Sequence, residues 1–369
     1  MAGSATIKFD TTTYTMQALE TKYRNFFSPA FDISIDGQSF TLQNIAVSLL
    51  KVDTTTEARA DSFTFVVDNA YDAVARQFKW IGSLIEVGKT CTIKMGYTDK
   101  LETVFDGIIT GISLDYPADG TPIATVQGMD RSFLMMRSVK SNLWLNKKVS
   151  DVVKIIGGKY GLQMQVDDTG TPKPTIEQLK TSDFHFLKSL AEETHHDFFV
   201  IGQKLYFRKP NPSAAPVITL MYGKNLRSYS TSVDISNQVS QVIVRGTDPK
   251  TRVPFQATSQ TVSIIGTNGK TGKDIMAALS SHLVETVYSD VTTQAAAQAL
   301  ANSMLNEKAM DLVTGQGECI GIPEMRAGRH IKLEGLGPKF NQKLVLSGVV
   351  HTIDDRGFLT TFNVEGNAI

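Results

Sequence analysis

VFDGIITGISLDYPADGTPIATVQGMD, residues 104–130, contains two apolar runs separated by the residues PADGTP. Proline, aspartate and glycine are typical of tight turns, so the stretch predicts two strands joined by a turn. Two earlier segments, SFTFVVD at 62–68 and CTIKMGY at 91–97, alternate with a period of two. That period places every second side chain on one face of a half-buried strand. The first part of the chain therefore predicts a β-sandwich or β-barrel.

One helix is predicted among these strands. NAYDAVARQFKWIG, residues 69–82, places Ala70, Val74, Phe78 and Ile81 at helical spacing. Such spacing is typical of an amphipathic helix, and a short helix here would cover one end of the sheet.

Length and charge limit the class of protein. The chain has 369 residues, which predicts two or three domains, with 41% hydrophobic and 20% charged residues. Lysine plus arginine and aspartate plus glutamate number 37 each, so neither a nucleic acid nor an anionic membrane is indicated as the main partner. No run approaches the roughly 18 apolar residues of a membrane span. The first ten residues, MAGSATIKFD, have no apolar core of a signal peptide, so synthesis in the cytoplasm without a signal peptide is expected.

The chain has two cysteines, Cys91 and Cys319, which are far apart and form no CxxC motif. Zinc and haem frameworks are therefore not indicated. Two buried thiols are the favoured interpretation, because free cysteine is among the most buried residue types. A disulfide between them is the alternative.

The middle of the chain predicts an α+β unit. SDVVKIIGGKYGL, residues 150–162, predicts a short helix with Ser150 as its cap and Asp151 in its first turn. A second helix is predicted from about Ser182, with Phe184, Leu187, Ala191 and Thr194 on its core face. DFFVIGQKLYFR, residues 197–208, then predicts a hairpin that turns at its Gly-Gln pair.

Three histidines cluster in this unit and suggest a metal site. His185 and His196 would lie about 16 Å apart along a continuous helix, and His195 and His196 would diverge by about 100° around it. No pair has the i, i+4 spacing of HExxH, so surface histidines at a helix end are the favoured interpretation.

The last third is again mainly β. SQVIVRG, residues 240–246, predicts a strand with Val242 and Val244 on one face and Ile243 on the other. Three more strands are predicted between 329 and 366, in RHIKLEG, KLVLSGVVHTID and FLTTFNVEG. The longest helix is predicted at 291–311. Its apolar stripe consists of Ala295, Ala299, Leu300, Met304 and Leu305, with core packing favoured over self-association.

Three local patterns resemble catalytic or ligand motifs and fail. SIIGTNGKTGK, residues 263–273, has Ile264 where a phosphate-binding loop needs glycine, so an exposed hairpin or loop is favoured. GISLD lacks the last glycine of GxSxG. Asp354 and Asp355 lie in a stretch whose composition is typical of a turn between two strands. Arg131 is expected to form a structural pair with its neighbour Asp130. No catalytic, cofactor-binding or metal residue is predicted.

Four segments in order resemble the late control protein D family, the baseplate hub proteins of contractile phage tails, which includes the hub part of VgrG spike proteins. They are VFDGIITGIS with ATVQGMDRSFLM, TSDFHFLKSLAEETHHDFFVIGQKLYFRKP, QVSQVIVRGTDPKT, and the stretch from GECIGIPEMRAGRHIKLEG to FNVEG, residues 317–366. The resemblance spans about residues 60–365. The twelve positions that carry it are expected to have structural roles: Phe105, Gly107, Gly128, Asp130, Phe186, Leu187, Ala191, Gly246, Pro323, Gly328, Phe340 and His351.

Several of these positions have a physical explanation. Gly107 and Gly128 would allow strands to bend or backbones to approach. Pro323 and Gly328 would shape a turn before RHIKLEG. His351, in the middle of a strand, is expected to be packed and hydrogen-bonded and not to be a ligand.

The resemblance implies a mainly β fold with an α+β insert. Two tail-tube-like β-barrel or sandwich domains, each with a helix, would flank a small middle domain. The expected boundaries are 1–140, 141–212 and 213–369.

The function implied by the resemblance is a structural baseplate hub. A homotrimer would present six tube-like domains, join the six-fold tail tube to a three-fold central spike, contact baseplate wedge proteins and travel with the tube on contraction. Assembly in a virion or phage-tail-like particle is implied, with the spike tip and any cell-wall hydrolase on separate chains. The alternatives are a cell-wall hydrolase of the tail tip and another tube-like or distal adapter protein.

Overall fold

The computed structural model describes residues 7, 9, 12–68, 70–248, 251–259, 261–266, 269–280, 282–289 and 291–369. The predicted absence of a signal peptide concerns the first ten residues, most of which lie outside this set. The protein is mainly β with few helices, which confirms the predicted fold class.

Apart from two 3-10 turns, the described residues of the first part of the chain form one short α-helix and nine strands. In chain order they are α1 Met16–Lys22, β1 Pro29–Ile35, β2 Gln38–Ser39, β3 Val47–Thr55, β4 Ser62–Val67, β5 Tyr71–Asp72, β6 Gln77–Phe78, β7 Thr90–Tyr97, β8 Lys100–Asp115 and β9 Ile123–Met129. The two strands predicted within 104–130 are β8 and β9, which pair antiparallel across the predicted turn.

The helix predicted at 69–82 is wrong, since its described residues form the short hairpin β5–β6. The Asp72 carboxylate accepts hydrogen bonds from the backbone N–H groups of Val74 and Ala75, at 2.9 and 3.0 Å, and closes a turn. Arg76 and Trp80 have positive φ, which a right-handed helix does not allow. The helical spacing of apolar residues therefore does not place them on one face.

The middle of the chain is an α+β unit, as predicted. Its elements are α2 Ser132–Met136, β10 Val139–Lys147, α3 Val149–Lys159, β11 Gln163–Val166, β12 Lys173–Ser182, α4 Asp183–Thr194, β13 Asp197–Ile201 and β14 Lys204–Arg208. The hairpin β13–β14 and the helix predicted from about Ser182 are confirmed, and the structure shows that Ser182 Oγ caps α4 by accepting from His185 N at 3.3 Å. The Ser150 cap is wrong: Lys148 precedes α3, its N–H is bonded by Asp151, and Ser150 is buried inside the helix.

The last part of the chain contains nine strands and two helices. They are β15 Thr219–Met221, β16 Leu226–Val233, β17 Gln241–Thr247, β18 Pro254–Thr258, α5 Gly272–Leu279, β19 Val284–Tyr288, α6 Gln294–Met310, β20 Val313–Ile320, β21 His330–Glu334, β22 Lys343–Asp354 and β23 Gly357–Gly366. The predicted strand at 240–246 and the three predicted strands beyond 329 are confirmed.

The stripe predicted on the long helix is confirmed at Leu300, Met304 and Leu305, which pack in the core of the β17–β18–β19 sheet, and is wrong at its two alanines. Ala295 and Ala299 are exposed, whereas Ala297, Ala301 and Leu305 are buried against β17 and β18. The helix also contacts α4, where Ser303 Oγ donates to the Glu192 carbonyl at 3.0 Å. The buried face is thus determined by two neighbouring elements that sequence spacing does not reveal.

One 13-stranded sheet runs through both ends of the chain. Its main path is β16-β20-β23-β22-β3-β4-β9-β8-β7-β1-β2, with β21 attached to β22 and β15 attached to β21. The antiparallel pair β3–β22 joins strands from the first part and the last part, with Gly348 opposite Thr55 and Ile353 opposite Leu50. One hydrophobic core accordingly contains residues from both parts, while the middle unit and the β17–β18–β19 sheet have cores of their own.

Candidate functional site

The twelve positions that carry the resemblance do not form one site. Four lie on or beside β8 and β9 (Phe105, Gly107, Gly128, Asp130), three on α4 (Phe186, Leu187, Ala191), and three beside the β3–β22 pair (Pro323, Gly328, His351), while Gly246 lies on β17 and Phe340 in the turn before β22. They are packing and turn positions, spread over the fold.

Three of the four glycines of this set lie where backbones or rings approach closely, whereas Gly328 has a positive φ of 83°. A Cβ atom on Gly107 would lie 2.3 Å from the Met129 carbonyl oxygen, and one on Gly128 would lie 2.2 Å from the Phe63 ring. A Cβ atom on Gly246 would lie 2.7 Å from the ring of Phe255. These contacts leave no room for a side chain.

Residues 321–329, between β20 and β21, cross from the last part of the chain onto the first part. We call this segment together with the β3–β22 pair the junction. Arg326 Nη2 donates to Asp61 Oδ2, and Arg326 Nη1 donates to the Val104 carbonyl at 3.0 Å. Arg326 and Asp61 are both buried, so this ion pair is shielded from water and salt.

A second buried carboxylate stands beside the pair. Asp130 accepts from Ser132 N at 2.8 Å and from Asp61 N at 3.4 Å, and is not the partner of Arg131, whose Nε lies 3.5 Å from Asp106 Oδ1. The predicted Arg131–Asp130 pairing is thus wrong. Burial and the charge of Asp61 raise the pKa of Asp130 to about 7.

This carboxyl predicts a pH dependence of stability. Between the unfolded pKa of Asp, about 4, and about 7, the folded state holds a proton on Asp130 that the unfolded state releases. The contribution of Asp130 to the free energy of unfolding therefore falls as pH rises through this window. The Asp130→Asn variant has no titratable group at this position, so it lacks this pH-dependent contribution to the free energy of unfolding. Urea denaturation between pH 4.5 and 7.5 is expected to show a smaller loss of stability in the variant than in the wild type, and parallel curves would contradict the assignment.

His351 lies in β22 at the centre of the junction and is buried. Its Nε2 is 2.9 Å from the Met325 carbonyl, so Nε2 carries the proton, and its Nδ1 is 2.9 Å from Thr360 Oγ1. Burial lowers the pKa of His351 to about 4. The side chain is therefore a packed, hydrogen-bonded histidine.

Glu324 forms a second polar contact across the junction. Its Oε1 accepts from Lys22 Nζ and from Tyr23 Oη, both at 2.8 Å, and Lys22 also donates to Glu102 at 2.7 Å. Sequence reasoning missed Asp61, Glu324 and Arg326. The only local signal was the dense run of charges in PEMRAGRH, which has no recognisable partner in the sequence.

The residues considered for a metal or phosphate site form hydrogen bonds and helix ends instead. His185 Nδ1 lies 2.7 Å from Ser182 Oγ at the start of α4, whereas His195 ends the helix. Thr271 caps α5 and bonds Asp274 at 2.7 Å, while residues 267 and 268 of the suspected phosphate loop lie outside the described set. Within the described ranges, no three His, Cys, Asp or Glu residues come together as a possible metal site. Cys91 and Cys319 are buried free thiols, as predicted.

The ribbon β10–β12 exposes an apolar face. Its inner face carries Trp144, whose ring stacks on Phe186 at 5.5 Å. Its outer face carries four exposed apolar side chains: Val139, Leu143, Leu145 and Leu179. We call this outer face the ribbon patch. Contiguous apolar side chains in water are typical of an interaction surface.

The ends of the long sheet are a second candidate for contacts. The path begins at β16 and ends at the two-residue strand β2, and neither has a further partner strand in the described part of the chain. Unpaired edges offer N–H and C=O groups to another strand. None of the helices formed by the described residues has the length and apolar character needed to cross a membrane.

The fold is shared with phage tail proteins. The chain is similar to the 43 kDa tail protein of prophage MuSo2 from Shewanella oneidensis, with a TM-score of 0.69, 15% identity, and coverage of 91% of this chain and 98% of that one. A tail protein from Neisseria meningitidis MC58 gives a TM-score of 0.66 and 15% identity, with 92% and 97% covered.

A secretion component shares the fold as well. The E. coli c3393 protein, described as a component of the type VI secretion system, gives a TM-score of 0.58 and 13% identity, with 91% and 77% covered. The fold is thus that of phage tail proteins and related secretion components. The family model described as the Alg8 N-terminal domain matches residues 29–355, so the chain belongs to that family. No curated protein matches the sequence.

Proposed function

We propose that the chain is the structural baseplate hub of a contractile, phage-tail-like particle. Three copies form a homotrimer that joins the six-fold tail tube to a three-fold central spike and contacts the baseplate wedges. The hub travels with the tube on contraction and performs no catalysis. The domain boundaries at 140 and 212 and the relation to the late control protein D family belong to the same proposal.

The junction is the observation that carries this proposal. A part that transmits force between a tube and a spike needs its two β parts held as one body. The β3–β22 pair, the Arg326–Asp61 ion pair and the Glu324 contacts join them through buried bonds. The similarity of the whole fold to tail proteins supports the same class of function.

We further propose that the ribbon patch is a contact between copies. Leu143 and Leu145 are 57% and 58% exposed, so replacing both by glutamate removes no packing within the chain. Such a change would bury charge in an interface, which is unfavourable without a partner. Light scattering of the wild type is expected to give three times the 40.4 kDa of one chain, and the double variant is expected to be a monomer with an unchanged circular dichroism spectrum.

Val74→Glu is the matched control, because Val74 is 96% exposed and lies outside the ribbon patch. It is expected to leave the trimer intact. A double variant that stays trimeric would exclude the ribbon patch as the contact. A wild-type chain that is monomeric both alone and with its spike would overturn the hub proposal, and a hexamer would favour a tube-like or distal adapter role.

A further inference from the structure

A cleft of about 610 Å³ lies where the middle unit meets the last part of the chain. Its walls are the end of α4, strand β13, the linker 209–215 after β14, helix α6 and the start of β21. Lys343 Nζ holds the linker in place by donating hydrogen bonds to the Pro212 and Ala214 carbonyls, at 2.8 and 3.1 Å. The volume lies within the range of ligand sites in proteins.

Arg208 presents an oriented guanidinium group to this cleft. The group lies over the rings of Phe9 and Phe199, at 5.0 and 5.2 Å from their centroids. Its Nε is buried and makes no hydrogen bond with any described residue, although it forms a long ion pair with Asp197, whose Oδ2 lies 3.8 Å away in the same cleft. Two aromatic rings thus hold a planar fork whose Nε donor is unused, a geometry that matches a carboxylate.

His330 lines the same cleft and is 8% exposed. Its Nε2 has no hydrogen-bond partner among the described residues. Burial first, and then the charges of Lys343, Arg208 and Arg329, lower the pKa of His330 to about 4. The imidazole is therefore neutral at pH 7 and can donate from Nε2. A buried polar atom without a partner costs free energy, which a bound acceptor would recover.

His196 adds a hydrogen-bond acceptor to the cleft wall. Its Nδ1 lies 2.7 Å from the Thr194 carbonyl and so carries the proton, which leaves Nε2 as an acceptor. This Nε2 is buried and without a partner in the described structure. The ring stacks on Phe207 at 4.9 Å, so its direction is fixed. The cleft therefore offers unused donors on two residues and an unused acceptor on a third.

We propose that the cleft binds an acidic peptide segment of a partner chain. A side-chain carboxylate of the peptide pairs with Arg208 and His330, and a backbone N–H of the peptide donates to His196 Nε2. A peptide has both groups, whereas a simple carboxylate or a phosphate ion lacks the N–H donor. The proposal adds a ligand site to the chain and holds whether or not the chain trimerises.

Isothermal titration of the full chain tests this proposal with two probes, acetyl-Ala-Glu-Ala-Glu-Ala-amide and the same peptide with glutamine at both glutamate positions. The acidic peptide is expected to bind at least tenfold more tightly. Arg208→Gln and His330→Gln are each expected to weaken it at least tenfold. Arg227→Gln, a change at an exposed arginine on β16 outside the cleft, is expected to leave binding unchanged.

Three results would overturn the proposal: no saturable binding of the acidic peptide, equal binding of the glutamine peptide, or unchanged binding by the cleft variants. Glutarate and inorganic phosphate serve as further arms, and binding of either as tight as that of the peptide would assign the cleft to small anions instead. If Arg208→Gln loses its fold by thermal melting, His330→Gln decides the test, because His330 lies on β21 and leaves the stacking of Arg208 on Phe9 and Phe199 in place.

Discussion

Arg326→Met is expected to lower the free energy of unfolding by about 3–5 kcal/mol, because it leaves a buried carboxylate without its cation. Arg326 and Asp61 are 7% and 6% exposed, and Arg326 also donates to the Val104 carbonyl at 3.0 Å. The variant therefore loses an ion pair and a hydrogen bond that connect the two parts of the long sheet. Denaturation in urea, followed by circular dichroism, measures the change.

Arg356→Met is the matched control. Arg356 pairs with Asp354 in the exposed hairpin turn between β22 and β23, where water and salt weaken the attraction. This variant is expected to unfold at the wild-type midpoint. The double change Asp61→Asn with Arg326→Met is expected to recover part of the loss, since no charge is then left unpaired. Equal midpoints for Arg326→Met and Arg356→Met would show that the buried pair does not hold the junction.

Gly128→Ala is expected to lower the free energy of unfolding by about 3 kcal/mol, because the core cannot accept the added methyl group. The new Cβ would lie 2.2 Å from Phe63 Cε1 and 2.4 Å from the Ile108 carbonyl oxygen. The ring is buried between neighbours, and the carbonyl belongs to the paired strand β8, so neither moves without breaking other contacts. Thermal melting and urea denaturation measure the effect.

Gly111→Ala provides the control on the same strand pair. Gly111 lies in β8, and a Cβ atom there would meet no described heavy atom within 4 Å. Its stability is expected to stay within about 0.5 kcal/mol of the wild type, as for substitutions away from close contacts. A loss as large as that of Gly128→Ala would show that close approach of the Phe63 ring and the Ile108 carbonyl is not what makes the Gly128 variant unstable.

Much of the strand and hairpin structure could be predicted from the sequence, because its cause is local. Alternating apolar residues, as in 62–68 and 91–97, require neighbours only two positions away. The 197–208 hairpin likewise depends on residues within one turn. Where a local contact competes with periodicity the prediction fails, as at 69–82, where Asp72 bonds the backbone and closes a turn.

Contacts between distant residues could not be predicted in the same way. Asp61 and Arg326 are 265 positions apart, and nothing in either neighbourhood marks the other. The buried face of α6 depends on β17, β18 and α4 together, and it takes in Ala297 and Ala301 in place of the predicted Ala295 and Ala299. The cleft residues come from distant parts of the chain. His196 lies between α4 and β13 and Arg208 ends β14, whereas His330 begins β21 in the last part of the chain.

The mainly β class and the helix-and-hairpin middle unit could be predicted from the sequence alone, since both follow from short-range periodicity and turn chemistry, whereas the resemblance to the hub family rests on four segments in order. Only the tertiary structure decided that both ends of the chain share one sheet and one core, and that a buried ion pair holds them together. Strand pairing between distant segments is selected by the burial of whole faces, and that free energy belongs to the assembled fold and not to any one segment.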